Sequence, residues 1–181
     1  MLKYIALGMV LHEPLTGYDI KKKIENGIGN LYKASHGSLY PALKKLTDES
    51  FLTMDEQMQG NRLKKYYRAT VVGKEKFLEW LSLPFDPNTD ADTYLAKIFL
   101  IGELPEEIRF KRLQEYEFYT KQMLQELQIV EKQLSIETLN DRDYFEISTF
   151  YYSQQILHAT IRWIEHIKVQ KPFSSFLQED G

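Results

Sequence analysis

Residues 35–50 read SHGSLYPALKKLTDES, and the fold turns on where this stretch is placed. Leu39, Ala42, Leu43 and Leu46 recur at helical spacing and form one apolar stripe, while Tyr40, Lys44 and Lys45 point elsewhere. Two starts compete. Ser35 and Ser38 are both good caps, and Pro41, which is comfortable only in a first turn, favours the later one. Either way the stretch is a helix that docks by one face and presents short polar, aromatic and basic groups on the other.

Two helices precede it. Leu2, Ile5, Ala6, Met9 and Val10 form an apolar line that His12-Glu13-Pro14 ends, because the residue before a proline avoids helical backbone. The Thr16 hydroxyl then caps a second helix from Gly17 to about Gly27, with Tyr18, Ile20 and Ile24 available to face inward. After the stretch the period changes from helical to alternating. Phe51 to Gln57 and Lys64 to Ala69 are expected as two strands joined by a polar turn containing Gly60-Asn61. Alternation puts Lys64, Tyr66 and Arg68 on one face and Lys65, Tyr67 and Ala69 on the other, so one tyrosine is buried and its neighbour lies near solvent. Thr70 is placed to cap a fourth helix carrying Phe77, Leu78, Trp80 and Leu81. The proline-rich and polar LPFDPNTD that follows reads as a domain boundary.

The second half is helical. Asp92 to Ile101 is a short apolar helix, and Pro105 is suited to open a longer one. In that helix Leu113, Tyr116, Thr120, Met123, Leu127, Val130 and Leu134 alternate spacings of three and four, a heptad seam in which Thr120 is the imperfect member. A last helix from Asn140-Asp141 to about Gln170 carries two apolar lines. One is Tyr152, Ile156, Ala159, Trp163 and Ile167; the other is Ile147, Phe150, Leu157, Ile161 and Ile164. A helix apolar on two sides needs neighbours on two sides, and one hairpin supplies only one. A second subunit is therefore expected, with Leu127, Tyr152, Ile156, Trp163 and Ile164 in the dimer contact. Which of the two lines meets the partner is left open, as is the alternative that another part of the same chain covers it. The expected division is a first domain at 1–83, a linker at 84–91, a helical dimerisation domain at 92–171 and a tail at 172–181.

Charge separates the same two parts. The net charge of −3 conceals 13 Lys+Arg against 8 Asp+Glu in residues 1–76, a balance of +5, and 10 against 18 in residues 77–181, a balance of −8. The first segment is thus fit to face a polyanion and the second is not. There is no cysteine, which excludes disulfides and thiolate metal sites. No apolar run reaches a membrane span and residues 1–11 lack the marks of a signal peptide, so the expected compartment is the cytoplasm.

Three helices and a hairpin within about 70 residues make a winged helix-turn-helix, whose third helix enters the major groove while the wing touches backbone or minor groove. Ser38, Tyr40, Lys44 and Lys45 supply the groups such a helix needs, and Arg62, Lys64 and Lys65 sit beside Asn61 near the wing tip. The fold class expected is mainly α with a small β-hairpin wing, followed by a C-terminal antiparallel helical dimerisation domain. Nothing points to catalysis: there is no phosphate-cradling glycine loop, no nucleophile elbow and no His-Glu-x-x-His. His158 and His166 lie eight residues apart without acidic companions on their face, so neither a metal nor a cofactor is expected.

Three blocks, LTGYDIKKKI, SHGSLYPALKKLTDESFL and GNRLKKYYRATVVGKEKF, resemble successive motifs of the PadR family of bacterial regulators across about residues 4–80. The long C-terminal helices are similar to the subgroup with an extended virulence-activator-like C-terminal domain. The resemblance implies a dimer on a roughly palindromic operator in double-stranded DNA, usually as a repressor, sometimes released by small aromatic molecules. Carried onto the motif positions, it implies that Ser35, His36, Ser38, Tyr40 and Lys44 face DNA and that Arg62, Lys64 and Lys65 form the wing contact, with Gly17 and Tyr18 structural. The competing class is a winged helix used only as a protein-protein adaptor, which predicts no salt-dependent DNA binding.

Overall fold

The computed structural model describes residues 1–29, 36–133 and 140–176, with the side chains of His36 and Ser175 left aside. The chain divides into two compact units, Met1–Arg109 and Phe110–Gly181.

In the first unit, α1 (Leu2–Met9), α2 (Gly17–Ile28) and α3 (His36–Asp48) pack around one apolar core with α4 (Val71–Ser82). Thr16 caps α2 by the expected mechanism and closes a full capping box: its hydroxyl accepts from the Asp19 backbone N–H at 3.2 Å, and the Asp19 carboxylate accepts from the Thr16 N–H and hydroxyl at 3.3 and 2.6 Å. Ile20 and Ile24 of α2, Leu39, Leu43 and Leu46 of α3, and Ile5 and Leu7 of α1 are each fully buried. Burying an aliphatic side chain of this size stabilises by roughly 1.5–3 kcal/mol, so these stripes decide how the helices dock.

α3 differs from expectation at its start. It runs from His36, so Ser38 lies inside the helix rather than capping it, and Pro41 falls in the second turn, where its missing N–H leaves the Gly37 carbonyl without its helical donor. The apolar stripe is strong enough to hold the turn despite that loss. The alternative cap, Ser35, lies outside the described residues. The helix ends in a Schellman turn, in which the Phe51 N–H reaches the Leu46 carbonyl at 2.8 Å and the Ser50 N–H the Thr47 carbonyl at 3.0 Å, with Ser50 at φ +60°.

The wing is β2 (Leu52–Gln59) and β3 (Arg62–Ala69), antiparallel in register from Leu52↔Ala69 to Gln59↔Arg62. Gly60 takes φ +60° while Asn61 keeps a negative φ, the pattern of a type II′ turn. Tyr67 is 8% exposed and packs into the core, whereas Tyr66 is half-buried on the other face, as alternation required. A third strand was not expected: β1 (Leu15–Thr16) pairs with β3 through Leu15↔Tyr67 and Thr16↔Tyr66, giving the order β1-β3-β2. Thr70 caps α4 by accepting from the Gly73 N–H at 2.9 Å.

The division of the chain falls later than residues 84–91. That stretch folds back on α5 (Ala91–Leu100): Phe85 stacks on Tyr94 at 4.2 Å, and the Tyr94 hydroxyl donates to the Asp86 carbonyl at 2.7 Å. α5 in turn buries Ala96 and Leu100 in the core of the first unit. It seats where α1 and α2 carry glycines: a methyl group on Gly8 would stand 3.0 Å from Leu100, and one on Gly27 would stand 2.4 Å from Phe99.

The second unit contains most of α6 (Glu106–Glu131), together with α7 (Asp141–Lys168) and the short α8 (Phe173–Phe176). α6 and α7 run antiparallel, since the Lys121 ammonium reaches Glu165 at 2.8 Å, the Lys168 ammonium reaches Glu117, and the Gln154 amide donates to Glu131 at 3.0 Å. Burial pushes the Glu117 carboxyl up, but hydrogen bonds from Lys121 and Lys168 outweigh it and hold the group below its usual value. The heptad seam of α6 holds only in part. Leu113 and Thr120 are buried, the latter donating to the Tyr116 carbonyl at 2.7 Å, but the buried line then moves to Leu124 and leaves Met123 and Val130 exposed. A straight helix drifts by about 20° per heptad from a strict seven-residue repeat, which rotates the seam away. Leu134 lies outside the described residues.

Candidate nucleic-acid interface

On α3 the residues split by face. Leu39, Leu43 and Leu46 are inside, while Ser38, Tyr40, Lys44 and Lys45 are exposed on the outside. Packing of the stripe therefore forces the polar set outward. On the wing, Arg62 follows the turn directly and is exposed, Lys64 is half-buried, and Lys65 is exposed. The structure brings Tyr40, Lys64 and Lys65 together along one groove of about 580 Å³, lined by the start of α2, by Tyr40 of α3 and by residues of the wing. Ser38, Lys44, Lys45 and Arg62 lie outside its lining. Ser35 and the side chain of His36 lie outside the described residues.

The cations are not equivalent. Lys45 lies 3.9 Å from Glu49, which also faces Lys3 at 3.7 Å, and Lys65 lies 3.5 Å from Glu56, its cross-strand partner. Lys44, Arg62 and Lys64 have no acidic partner among the described residues. A phosphate approaching Lys44 or Arg62 thus meets a full positive charge, whereas at Lys45 or Lys65 it meets a charge already shared with a carboxylate.

Sequence reasoning missed Tyr18. It was expected to turn inward, but it is 62% exposed and lines the groove beside Tyr40. The signal was present: Ile20, Ile24 and Ile28 are spaced by four and define the buried face, and Tyr18 lies two residues off that line. Tyr67 closes the floor of the groove, its phenol pushed up by burial and then by the nearby Tyr40 hydroxyl. Among the described residues no group of three His, Asp or Glu is placed to hold a metal ion, and no helix is long and apolar enough to cross a membrane.

In the second unit the two apolar lines of α7 part company. Ile161 and Ile164 are buried within the single chain, Ile164 fully, although Ile164 was expected at a dimer contact. Tyr152 is 66% and Ile156 47% exposed, with Leu127 and Trp163 half-buried. Met123, Leu127, Ile156 and Leu157 border an open apolar groove of about 370 Å³. His166 is buried against Phe173 and Phe176, with ring centroids 5.5 and 5.0 Å away, and serves packing.

Known proteins agree with the first unit. The model of the transcriptional regulator PadR-like family matches residues 6–79, which hold α2, α3, the whole wing and most of α4. The chain is 39% identical over 105 residues to a curated protein of Bacillus subtilis, negative transcriptional regulator PadR; the alignment covers 56% of this chain and 57% of that protein, somewhat over half of each. Among solved structures it is similar to Bacillus subtilis PadR in complex with operator DNA, at 28% identity and a TM-score of 0.47 with 93% of this chain and 98% of that one covered. It is also similar to the same protein in complex with p-coumaric acid, at 29% identity and a TM-score of 0.43 with 93% and 97% covered. Both scores fall below 0.5, and the assignment rests on the sequence match. Over residues 6–79 the chain is similar in sequence to the transcriptional regulator PadR-like family.

Proposed function

We propose that this chain is a sequence-specific DNA-binding transcriptional regulator, acting as a homodimeric repressor on a roughly palindromic operator. One observation carries the reading: Lys44 on α3 and Arg62 and Lys64 on the wing stand without acidic partners among the described residues, on a domain whose family is one of transcriptional regulators. Ser38 and Tyr40 on the outer face of α3 read base edges, and Lys44, Arg62 and Lys64 bind phosphate. Repression follows from the likeness to a negative regulator. Binding, not catalysis, is the activity, and its place is the cytoplasm, where the operator is.

The dimer rests on the exposed line of Tyr152 and Ile156 beside Leu127 and Trp163. Release by a small aromatic molecule belongs to the same reading, and titration of p-coumaric acid into a protein–DNA complex tests it. The function itself is tested by selecting duplexes from a random pool and measuring electrophoretic shifts on the winners. Two half-sites about one helical turn apart are expected, and a pool that yields no enriched duplex overturns the reading.

One observation favours the adaptor reading. Met58 and Leu63 form an exposed apolar cross-strand pair near the wing tip, at 66% and 58% exposure. The same selection separates the two, because an adaptor enriches nothing.

A further inference from the structure

The start of α2 and the ring of Tyr40 are in contact at the α-carbon of Gly17. A methyl group built there would stand 2.7 Å from Cε1 of Tyr40 and 3.1 Å from both its Cζ and its hydroxyl oxygen, distances at which something must move. The helix itself does not ask for glycine at this point: Gly17 is the first residue of α2, its φ is ordinary, and alanine is at least as good a helix former. What glycine allows is the approach of the ring. Tyr40 is 45% exposed, lines the groove between α2 and the wing, and has the buried Tyr67 phenol as its neighbour on the wing side.

We propose that Gly17 is a positioning residue for DNA recognition: by leaving its own side unfilled it seats the Tyr40 ring across the start of α2 and so sets which base step Tyr40 meets. This deepens the DNA-binding reading and rests on it. A tyrosine held in place before binding has less rotamer freedom to lose when DNA arrives, and a contact aimed in advance discriminates between bases better than one that searches. The atoms that a new methyl group would strike belong to a half-exposed side chain and not to backbone. The ring is therefore expected to move before the backbone does, so the effect of a substitution is read in recognition ahead of stability.

The experiment compares Gly17→Ala, Tyr40→Ala and the double variant in the full chain. The probe is the highest-affinity duplex that the unsubstituted protein recovers from a random pool. Gly17→Ala is expected to keep its melting temperature or gain slightly, to bind the duplex roughly ten-fold more weakly, and to lose discrimination among single-base variants at one step of each half-site. With Tyr40 already removed, Gly17→Ala is expected to change nothing further. Three results overturn the inference: unchanged affinity and discrimination in Gly17→Ala, the same fold loss in the Tyr40→Ala background, or a fall in melting temperature that accounts for the weaker binding. A pool that yields no enriched duplex for the unsubstituted protein instead overturns the DNA-binding reading, and this inference with it.

Discussion

The unequal pairing of the basic residues makes a quantitative prediction about salt. A lysine that neutralises one phosphate contributes about 0.9 to the slope of log K against log salt. Lys44 has no acidic partner among the described residues, so on the proposed function Lys44→Ala is expected to remove a whole phosphate contact. Between 50 and 200 mM salt, each lost contact makes the fall in affinity about 3.5-fold shallower, and about 12-fold if two copies bind. The reverse perturbation is at Glu56. Its carboxylate lies 3.5 Å from the Lys65 ammonium, both about half exposed, so the pair is weak enough to open yet leaves a negative charge beside any phosphate that Lys65 approaches. Glu56→Gln is expected to tighten binding at low salt and to steepen the slope by up to about 0.9 per copy. Fluorescence anisotropy of a labelled duplex, titrated at five salt concentrations, reads both slopes. An unchanged slope for Lys44→Ala, or weaker binding by Glu56→Gln, refutes the assignment of phosphate contacts from pairing.

Other expectations concern stability and assembly. Ser50 holds φ +60° in the turn after α3, a conformation that disfavours side chains with a Cβ, so Ser50→Gly is expected to stabilise the first unit by up to about 1 kcal/mol in urea denaturation. Thr16→Ala removes the hydroxyl that accepts from the Asp19 N–H as the cap of α2 and donates to the Asp19 carboxylate, at a cost of about 1–2 kcal/mol by the same measurement. Glu117 has its folded pKa held below the usual value, so the stability it contributes is full above the ordinary carboxylate range and is lost as pH falls through that range and below. Denaturation of the second unit at pH 7 and pH 4 is thus expected to show a smaller difference in Glu117→Gln than in the unsubstituted chain. Ile156→Glu places a charge on the open face of α7 and is expected to give monomers in analytical ultracentrifugation while helicity is retained.

Much of the first unit was legible because its signals are local. The Thr16 and Thr70 caps, the isoleucines of α2 at a spacing of four, the leucine stripe of α3 and the Gly60 turn each act within a few residues. What escaped depends on distant partners. β1 has only two residues, too few to show a period, and exists because β3 offers it an edge. α5 looked like the start of a second domain because nothing near it in sequence reveals that Gly8 and Gly27 leave room for Leu100 and Phe99 on α1 and α2. In the candidate site, the outward set on α3 followed from the stripe opposite. Neither the pairing of Lys65 with Glu56 across the hairpin nor the exposure of Tyr18 could be read without cross-element neighbours.

The two hydrogen-bonded residues of β1 have a consequence out of proportion to their number. Leu15 and Thr16 tie the base of the wing to the first turn of α2, and the capping box fixes that turn to Thr16 itself. The wing is therefore anchored at its base to the helical body and does not hang from β2 alone. On the proposed function, such an arrangement gauges a length along the double helix as well as a sequence. A base pair inserted between the steps met by α3 and those met by the wing then puts the two contacts out of phase, even when every base that is read remains in place.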